Sequence, residues 1–186
     1  NSIPFPDPFR LPEGNRIAVP GIGSVRFHRQ EIPDGKIKSG RIIRRASGWY
    51  LCLVIDAAPN DIPHLADGEI GIDPGFHYLL TLSTGQKIAH PRELEQTARR
   101  LAQAQRGQRN TLAARLQERL ANQRKDRNHK LSRRLVAEHQ LIVWSKDSHK
   151  AIASSFGKSV ASSAHAQLRG MLTYKSRTGG RQYLEV

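Results

Sequence analysis

The chain has 186 residues, which is enough for one large domain or for two small domains that each bury a hydrophobic core. Its 30 lysine and arginine residues exceed its 16 aspartate and glutamate residues, and the net charge of +14 indicates a polyanionic partner, most often nucleic acid. The composition excludes a disulfide framework, because Cys52 is the one cysteine, and no apolar run reaches the length of about 18 residues that a membrane span needs.

The first 60 residues predict a small β-rich domain. A proline-rich, extended stretch over residues 3–12 precedes four strand-like runs that turns separate, at residues 16–19, 24–29, 36–45 and 49–56. Both faces of the run at 49–56 are largely apolar, so we expect it to be a central strand. Short strands with tight turns indicate a β-barrel or part of one, completed by segments outside this chain.

Residues 57–67 are rich in proline, aspartate and asparagine and predict a boundary, after which a second domain covers residues 68–186. Its first expected elements are a strand ending near Asp73, a hairpin through 83–85, a helix from Pro91, a break at Gly107 and a long second helix. A buried strand at 141–144, a loop at 145–157, a helix from 159 and a strand at 182–186 are expected to follow. We expect the two long helices to form an antiparallel hairpin, and the strand at 141–144 to run parallel to the first. This order of elements is α/β.

The run EIGIDPG at residues 69–75 brings one carboxylate, Asp73, to the end of an apolar strand. A strand holds a carboxylate rigidly, and the turn at Gly75 lets a polyanion come close. The pattern therefore favours a metal-binding aspartate of an RNase H-like sheet and metal-assisted phosphodiester chemistry. The same string also opens actin-like sugar kinases and ATPases, and a buried turn aspartate would produce it without any chemistry.

The positive charge is concentrated on the two predicted helices. Between Arg92 and Arg134 the sequence has thirteen basic and four acidic residues, so this part carries +9 of the net charge of +14. Residues 122–130 contain no apolar side chain, so we expect them to face solvent or a ligand. Arginine outnumbers lysine, which favours directional contacts to phosphates over an ordinary solvated helix face. The predicted nucleic-acid-binding residues are Arg124, Lys125, Arg127, Lys130, Arg133 and Arg134.

Several motifs together resemble the TnpB family, which are transposon-encoded RNA-guided DNA nucleases related to type V CRISPR effectors. The motifs are IGIDPG at 70–75, ANQRKD at 121–126, HKLSRRLV at 129–136, FGKSV at 156–160, QLR at 167–169, YK at 174–175 and GR at 180–181. The specific signature is the pair at 121–126 and 129–136, which lies between the Asp73 strand and the next apolar strand.

The resemblance implies an RNase H-like (RuvC) domain with a helical hairpin insertion over residues 68–186, preceded by part of a small β-barrel, wedge-like domain over residues 1–60. It implies a metal-dependent DNA endonuclease with guide RNA and target DNA as partners and Mg2+ as cofactor. With the single cysteine it also indicates a bacterial cytoplasmic, nucleoid-associated location. In relatives a zinc ribbon and a final catalytic aspartate follow the position of Val186. We therefore expect a C-terminally incomplete fragment, and Asn1 is not an initiator residue.

By resemblance, Asp73 is the first metal-binding carboxylate of the RuvC site. The second is usually a glutamate where this chain has Ser145, whose neutral hydroxyl cannot replace a carboxylate in holding two divalent cations. Relocation to Glu185 is the favoured explanation, because its strand is expected beside the one ending at Ser145 and adjacent strands are about 4.8 Å apart. Asp147 is the second candidate, since it would share the face of Ser145 if the strand continued. The predicted metal ligands are thus Asp73 and Glu185, and Asp147 joins them as a predicted catalytic residue.

Loss of cleavage is the third explanation, and it leaves a guide-dependent DNA-binding repressor without nuclease activity. A non-specific RNA-binding module without a metal site is a further interpretation of the same charge. Lys158 and Lys175 are candidates for contacts to nucleic acid or for simple solvation, and His165 receives no role. The oligomeric state is left open by the sequence.

Overall fold

A computed structural model describes residues 2–58, 61–75, 77–146 and 160–186. The chain divides into two compact units, Asn1–Asn60 and Asp61–Val186. Strands and helices are both present, so the chain is mixed α/β. A search of the described residues for a helix long and apolar enough to cross a membrane finds none.

The described part of the first unit contains two antiparallel sheets. Its strands are β1 (Ser2–Pro4), β2 (Arg16–Val19), β3 (Gly23–Arg26), β4 (Lys36–Arg45) and β5 (Gly48–Asp56). The larger sheet has the order β1-β4-β5, and β2 pairs with β3 in the smaller one. Phe5, Phe9, Ile17 and Val19 form the buried core, against which partly buried side chains of β4 and β5 pack.

The prediction of a central strand at 49–56 is wrong for the described residues. There β5 pairs only with β4 and forms an edge of its sheet. One of its faces is open, because Tyr50 is 42% and Val54 48% exposed. Alternation cannot distinguish an apolar face that neighbours cover from one that stays open. The two sheets of this unit are also separate within the described ranges, so they form no closed barrel there.

The second unit is built on one mixed sheet in the order β10-β9-β6-β7-β8. Its strands are β6 (Gly68–Pro74), β7 (Leu80–Leu82), β8 (Lys87–Ile88), β9 (His139–Trp144) and β10 (Gln182–Glu185). β6, β9 and β10 are parallel, whereas β7 and β8 form an antiparallel hairpin next to β6. The predicted parallel pairing of strand 141–144 with the Asp73 strand is confirmed, and the last strand lies beside it as expected.

The described helices are α1 (Arg92–Arg106), α2 (Asn110–Glu138) and α3 (Val160–Thr178). α1 begins directly after Pro91, whose fixed φ suits a helix entrance, and it ends at Gly107. α2 then continues without interruption for 29 residues. The Arg127 guanidinium donates a 3.3 Å hydrogen bond to the Ala89 carbonyl, just before α1, which indicates that α1 and α2 run antiparallel as predicted.

One face of this sheet is covered by α2 and α3. Its side chains Ile70, Ile72, Leu80, Ile142 and Trp144 are at most 2% exposed. They form one core with helix residues that include Leu131, Leu135, Leu168 and Leu172. Burying a side chain of this size stabilises a fold by about 1.5–3 kcal/mol, so this layer is a major source of stability for the unit.

The expectation that residues 122–130 stay outside the core is wrong at Asn128, which is 3% exposed. The Asn128 amide donates a 2.9 Å hydrogen bond to Gln167 Oε1 on α3. A buried amide costs little when it is hydrogen-bonded, so a polar stretch does not exclude burial. The predicted loop at 145–157 lies outside the described residues from position 147 on, and so do Asp147 and Lys158.

Candidate functional site

The sheet of the second unit has a second face that differs from the covered one. Successive residues of a strand point to opposite faces, and residues paired across two strands point to the same face. Ile72 pairs with Trp144 and both are buried, so Asp73 and Ser145 follow one residue later on the other face. Over the described residues this face is open, and Asp73 is exposed.

Asp73 lies in a row of polar side chains across the open face. It pairs with Thr81 on β7, and Thr81 in turn pairs with Lys87 on β8. On the other side, the Ser145 amide donates a 2.9 Å hydrogen bond to the Ile72 carbonyl, which places Ser145 beside Asp73. A hydroxyl side chain therefore flanks Asp73 on each side. The backbone of Lys87 lies two strands away from Asp73, about 10 Å across the sheet.

A shallow cavity of about 330 Å3 lies on the open face and is lined by Asp73, Thr81, Ser83 and Ser145, among others. Gly71 keeps it open. A Cβ atom at Gly71 would lie 3.3 Å from the Ser83 Cβ, and the Gly71 amide donates a 3.0 Å hydrogen bond to the Ser83 hydroxyl. The cavity is at the small end of the range of about 300–1,000 Å3 that is typical of ligand pockets.

Glu185 lies on the covered face instead. It pairs with Trp144, so its side chain points towards α3. Its carboxylate accepts a 3.1 Å hydrogen bond from the Tyr183 hydroxyl and lies 3.8 Å from Arg169 Nε on α3. The predicted approach of Glu185 to Asp73 is therefore not found, because a difference of one residue in register moves a side chain to the opposite face.

Tyr183 and Arg169 hold the Glu185 carboxylate on the covered face. Burial raises the pKa of Tyr183, and the Glu185 carboxylate raises it further. The phenol therefore keeps its proton and donates a hydrogen bond to the carboxylate, while Arg169 supplies the opposite charge. This arrangement joins β10 to α3.

The oxygen atoms available as metal ligands on the open face decide whether the described residues can hold two divalent cations. Mg2+ is bound through oxygen ligands and, in two-metal sites, through several carboxylates. The cavity lining supplies one carboxylate, Asp73, and the hydroxyls of Thr81, Ser83 and Ser145. No group of three or more metal-ligating side chains occurs in the described ranges. Those residues alone do not fit a two-metal centre, and Asp147, the other predicted partner, lies outside them.

The six predicted nucleic-acid-binding residues all lie on α2, but they do not share one face. Arg127, Lys130 and Arg134 recur at i, i+3 and i+7, and we call these three residues the basic stripe. The Lys130 side chain is 77% exposed and forms a 2.7 Å ion pair with Asp126, while Arg134 lies 4.0 Å from Glu138. Exposed pairs of this kind contribute at most about 1 kcal/mol, so a phosphate can replace the carboxylates.

The other three predicted residues lie elsewhere on the helix. Lys125 is exposed but lies about 140° around the helix axis from Lys130. Arg124 is half-buried, and burial lowers its pKa. Arg133 lies about 120° around the helix axis from Arg127 and donates a 2.9 Å hydrogen bond to the Asp61 carbonyl. The basic stripe is therefore the part of the predicted set that presents adjacent cations.

Lys175 is buried in a polar network between α2 and α3. It is 8% exposed, and its ammonium donates 2.7 Å hydrogen bonds to the His129 carbonyl and the Ser132 hydroxyl. Burial lowers the pKa of Lys175, and the charge of Arg133 lowers it further. Burial and then Lys175 lower the pKa of His129. The predicted simple solvation of Lys175 is therefore wrong, because its ammonium is bonded within the protein.

The sequence-based predictions omit Thr81 and Lys87, which share the face of Asp73. The signal for both lies in the hairpin of β7 and β8, whose turn contains Gly85 at φ +84. Such a hairpin fixes the register of its strands, and alternation then assigns every second side chain to the face of Asp73.

Comparison with known proteins gives one family and two curated relatives. A family model described as "Probable transposase" matches residues 59–146, which include Asp73, both helices of the hairpin and Ser145. A Streptomyces pristinaespiralis protein named "Putative RNA-guided DNA endonuclease" is 32% identical over 156 residues, covering 76% of this chain and 39% of that protein. An Escherichia coli protein named "Putative RNA-guided DNA endonuclease InsQ" is 23% identical over 216 residues, covering 97% of this chain and 54% of that protein. The chain thus spans between two fifths and about half of the length of these relatives.

Proposed function

We infer that this TnpB-type chain is part of a transposon-associated, RNA-guided endonuclease that hydrolyses DNA phosphodiesters. Both relatives carry that activity in their names, and the family match extends from the Asp73 strand to Ser145. The single observation that carries the proposal is the position of Asp73, exposed on the open face at the carboxyl end of β6. An RNase H-like (RuvC) fold is supported by the strand order, with a hairpin on one side of β6 and two parallel strands on the other.

The basic stripe is the proposed contact to the sugar-phosphate backbone of guide RNA or target DNA. Three cations along one side of a long helix match a line of phosphates, which they can contact whatever the base sequence is. Sequence would then be read by pairing between guide and target, as in other RNA-guided systems. Replacing Lys130 by alanine should weaken nucleic-acid binding equally for all base sequences. It should also reduce the slope of log K against log salt concentration by about one.

Asp73 is the carboxylate that we assign to the reaction, and Mg2+ is the proposed cofactor. Among the described residues that line the cavity, Asp73 is the one carboxylate, so a metal centre there needs further carboxylates from outside this set. Asp147 is the candidate within this chain, two residues after Ser145. Glu185 is a poor candidate in the described arrangement, because its carboxylate faces α3.

Cleavage assays with the guide-loaded full-length protein test the role of Asp73. We expect Asp73→Asn to reduce cleavage by more than about 100-fold, because the charge that would hold a metal is lost, and to leave target binding intact. Glu185→Gln is the matched control, since it removes a carboxylate from the same sheet on the covered face, and it should retain cleavage. Wild-type cleavage by Asp73→Asn would refute the assignment.

A guide-dependent DNA-binding repressor is the second candidate function. It is favoured by Ser145 at the position of a carboxylate and by Glu185 on the other face, which leave Asp73 as the one acid among the described residues of the cavity. The guide-loaded protein would then bind target DNA with the same affinity in Mg2+ and in a chelator and would not cut it. Mg2+-dependent cutting would exclude this function.

A further inference from the structure

The tip of the β4–β5 hairpin in the first unit carries two exposed aromatic side chains. Trp49 is 59% and Tyr50 42% exposed. The Arg44 guanidinium lies 5.8 Å from the centroid of the Trp49 ring, and that of Arg45 lies 5.5 Å from the Tyr50 ring. Arg44 pairs directly with Trp49 across the hairpin, and consecutive residues point to opposite faces. Each face of the tip therefore presents one arginine beside one aromatic ring.

Trp49 also lines a cavity of about 480 Å3. The apolar part of the lining comes from both sheets of the unit and includes Ile17, Val25, Ile42, Leu51 and Leu53. The polar part includes Arg26, His28 and Arg29, and none of the described residues that line the cavity is acidic. An apolar pocket of this volume with an aromatic side and a basic part is suited to a flat, anionic ligand.

Hydrogen bonds hold this cavity in shape. Arg29 Nη1 donates to the carbonyls of Pro12 and Glu13 at 2.6 and 2.7 Å, which fixes the segment after β3. The hydroxyls of Ser47 and Tyr50 are 2.7 Å apart and tie the hairpin turn to the start of β5. Arg26 and Arg44 are both exposed. The site is thus preformed, which lowers the entropy cost of binding.

We propose that this cavity binds an unpaired nucleobase of a single-stranded nucleic acid, stacked on Trp49, with the adjoining phosphates at Arg26 and Arg44. A nucleobase has apolar faces for the aromatic ring, and its phosphates match the arginines. An apolar peptide would fill the same cavity but would give the arginines no partner. The site belongs to the first unit, so it does not depend on whether the second unit cuts DNA.

Tryptophan fluorescence provides a local measurement in the full 186-residue chain. The chain has two tryptophans, and Trp144 is 2% exposed, so quenching by a bound oligonucleotide reports on Trp49. The probes are decauridylate, decadeoxythymidylate and an abasic decamer of the same charge. We expect one or both of the base-carrying decamers to quench, and the abasic decamer to bind this site about tenfold more weakly without quenching. The comparison of ribose and deoxyribose probes identifies the sugar.

Variants with matched controls locate the site. Trp49→Ala should abolish the quenching and weaken decamer binding at the first unit about tenfold, whereas Trp49→Phe should retain most of the affinity because it keeps a ring. Val54→Ala, on the same strand but outside the cavity lining, should bind like the wild type. Arg44→Ala should weaken binding more than Arg41→Ala, which removes the same charge from the opposite face of β4.

Three results would overturn the proposal. One is quenching by the abasic decamer that equals the quenching by the base-carrying decamers, because quenching would then not require a base stacked on Trp49. Another is identical binding by Arg44→Ala and Arg41→Ala, which would indicate diffuse charge attraction. The third is self-association of the free chain that Trp49→Ala abolishes, because the face would then be an interface between copies. The abasic probe is used on the wild-type chain, so the test holds even if a variant misfolds.

Discussion

The two faces of the five-stranded sheet differ in what their side chains do. On the covered face, Ile72, Ile142 and Trp144 are buried beneath α2 and α3. On the open face, one residue further along the same strands, Asp73 and Ser145 line a shallow cavity. The covered face supplies the stability of the second unit, and the open face leaves a carboxylate available for chemistry.

A carboxylate near the end of a strand is therefore not enough to define a site. Asp73 and Glu185 both lie near the carboxyl ends of strands in one sheet. Glu185 nevertheless contacts Arg169 and Tyr183 on the covered face, whereas Asp73 is exposed on the other. The face, and not the distance along the chain, separates a structural acid from a candidate catalytic one.

The strongest contrast in the free energy of unfolding is predicted between two neighbours on β9. Ile142 is fully buried on the covered face, so Ile142→Ala should lower the free energy of unfolding by about 2–5 kcal/mol through lost burial and a cavity. Val143→Ala is the matched change on the open face and should cost within about 1 kcal/mol. Urea unfolding of both variants measures the contrast. Equal losses would show that the open face is as tightly packed as the covered one.

A smaller effect is expected from the hydrogen bond that joins the two helices of the covering layer. Asn128→Ala and Gln167→Ala, made singly and together, form a double-mutant cycle. We expect a coupling free energy of about 0.5–1.5 kcal/mol, since both groups lose one hydrogen bond between α2 and α3. A coupling near zero from the same unfolding curves would mean that the two amides are independently solvated.

A still smaller effect distinguishes the two carboxylates. Glu185→Gln weakens the ion pair with Arg169 and should lower the free energy of unfolding by at most about 1 kcal/mol. Asp73→Asn should leave it unchanged, because the exposed Asp73 carboxylate lies outside the core. Thermal and urea unfolding at neutral pH check this pair. The comparison would fail if Asp73→Asn destabilised the chain more than Glu185→Gln.

The smallest effect concerns the pH dependence of the covering layer. Burial, and then the charges of Lys175 and Lys125, lower the pKa of His129, while Asp126 opposes this. The unfolded chain therefore binds a proton more readily at this imidazole than the folded chain. The corresponding stability is present above the ordinary pKa of 6.5 and is lost as the pH falls through it towards the lower folded value.

His129→Gln removes this titration and serves as the comparison for the wild type. Between pH 7.5 and pH 5.5 the wild-type chain should lose more stability than the variant in urea unfolding experiments. All other groups titrate in both chains, so their contributions cancel in the difference. The same loss in both chains would assign the acid sensitivity to other residues.

The sequence predicted much of the second unit correctly. The apolar runs ending at Asp73 and Trp144, Pro91 before α1 and Gly107 after it each depend on local rules, and these elements occur where expected. The family resemblance was also accessible, because its motifs are contiguous in the chain and the family match covers several of them. Local preferences and short motifs are properties of neighbouring residues, which a sequence displays directly.

Other features depended on contacts between distant residues. The exposed edge of β5 at Trp49, the buried Asn128 and the buried Lys175 all contradict what their local composition suggested. Each depends on a partner far along the chain or on which neighbours cover a strand. A polar side chain can be buried when such a partner satisfies it, and an apolar one is exposed when no neighbour covers it.

The net charge of +14, the single carboxylate at the end of the first strand of the second unit and the order of its elements all follow from the residue order. Contacts between distant residues were needed to establish that Asp73 and Ser145 share the open face and that Glu185 lies on the covered one. The reason is that side chains alternate with a period of two along a strand, so pairing register assigns the face. Register arises from the packing of distant strands and helices, which no local pattern contains.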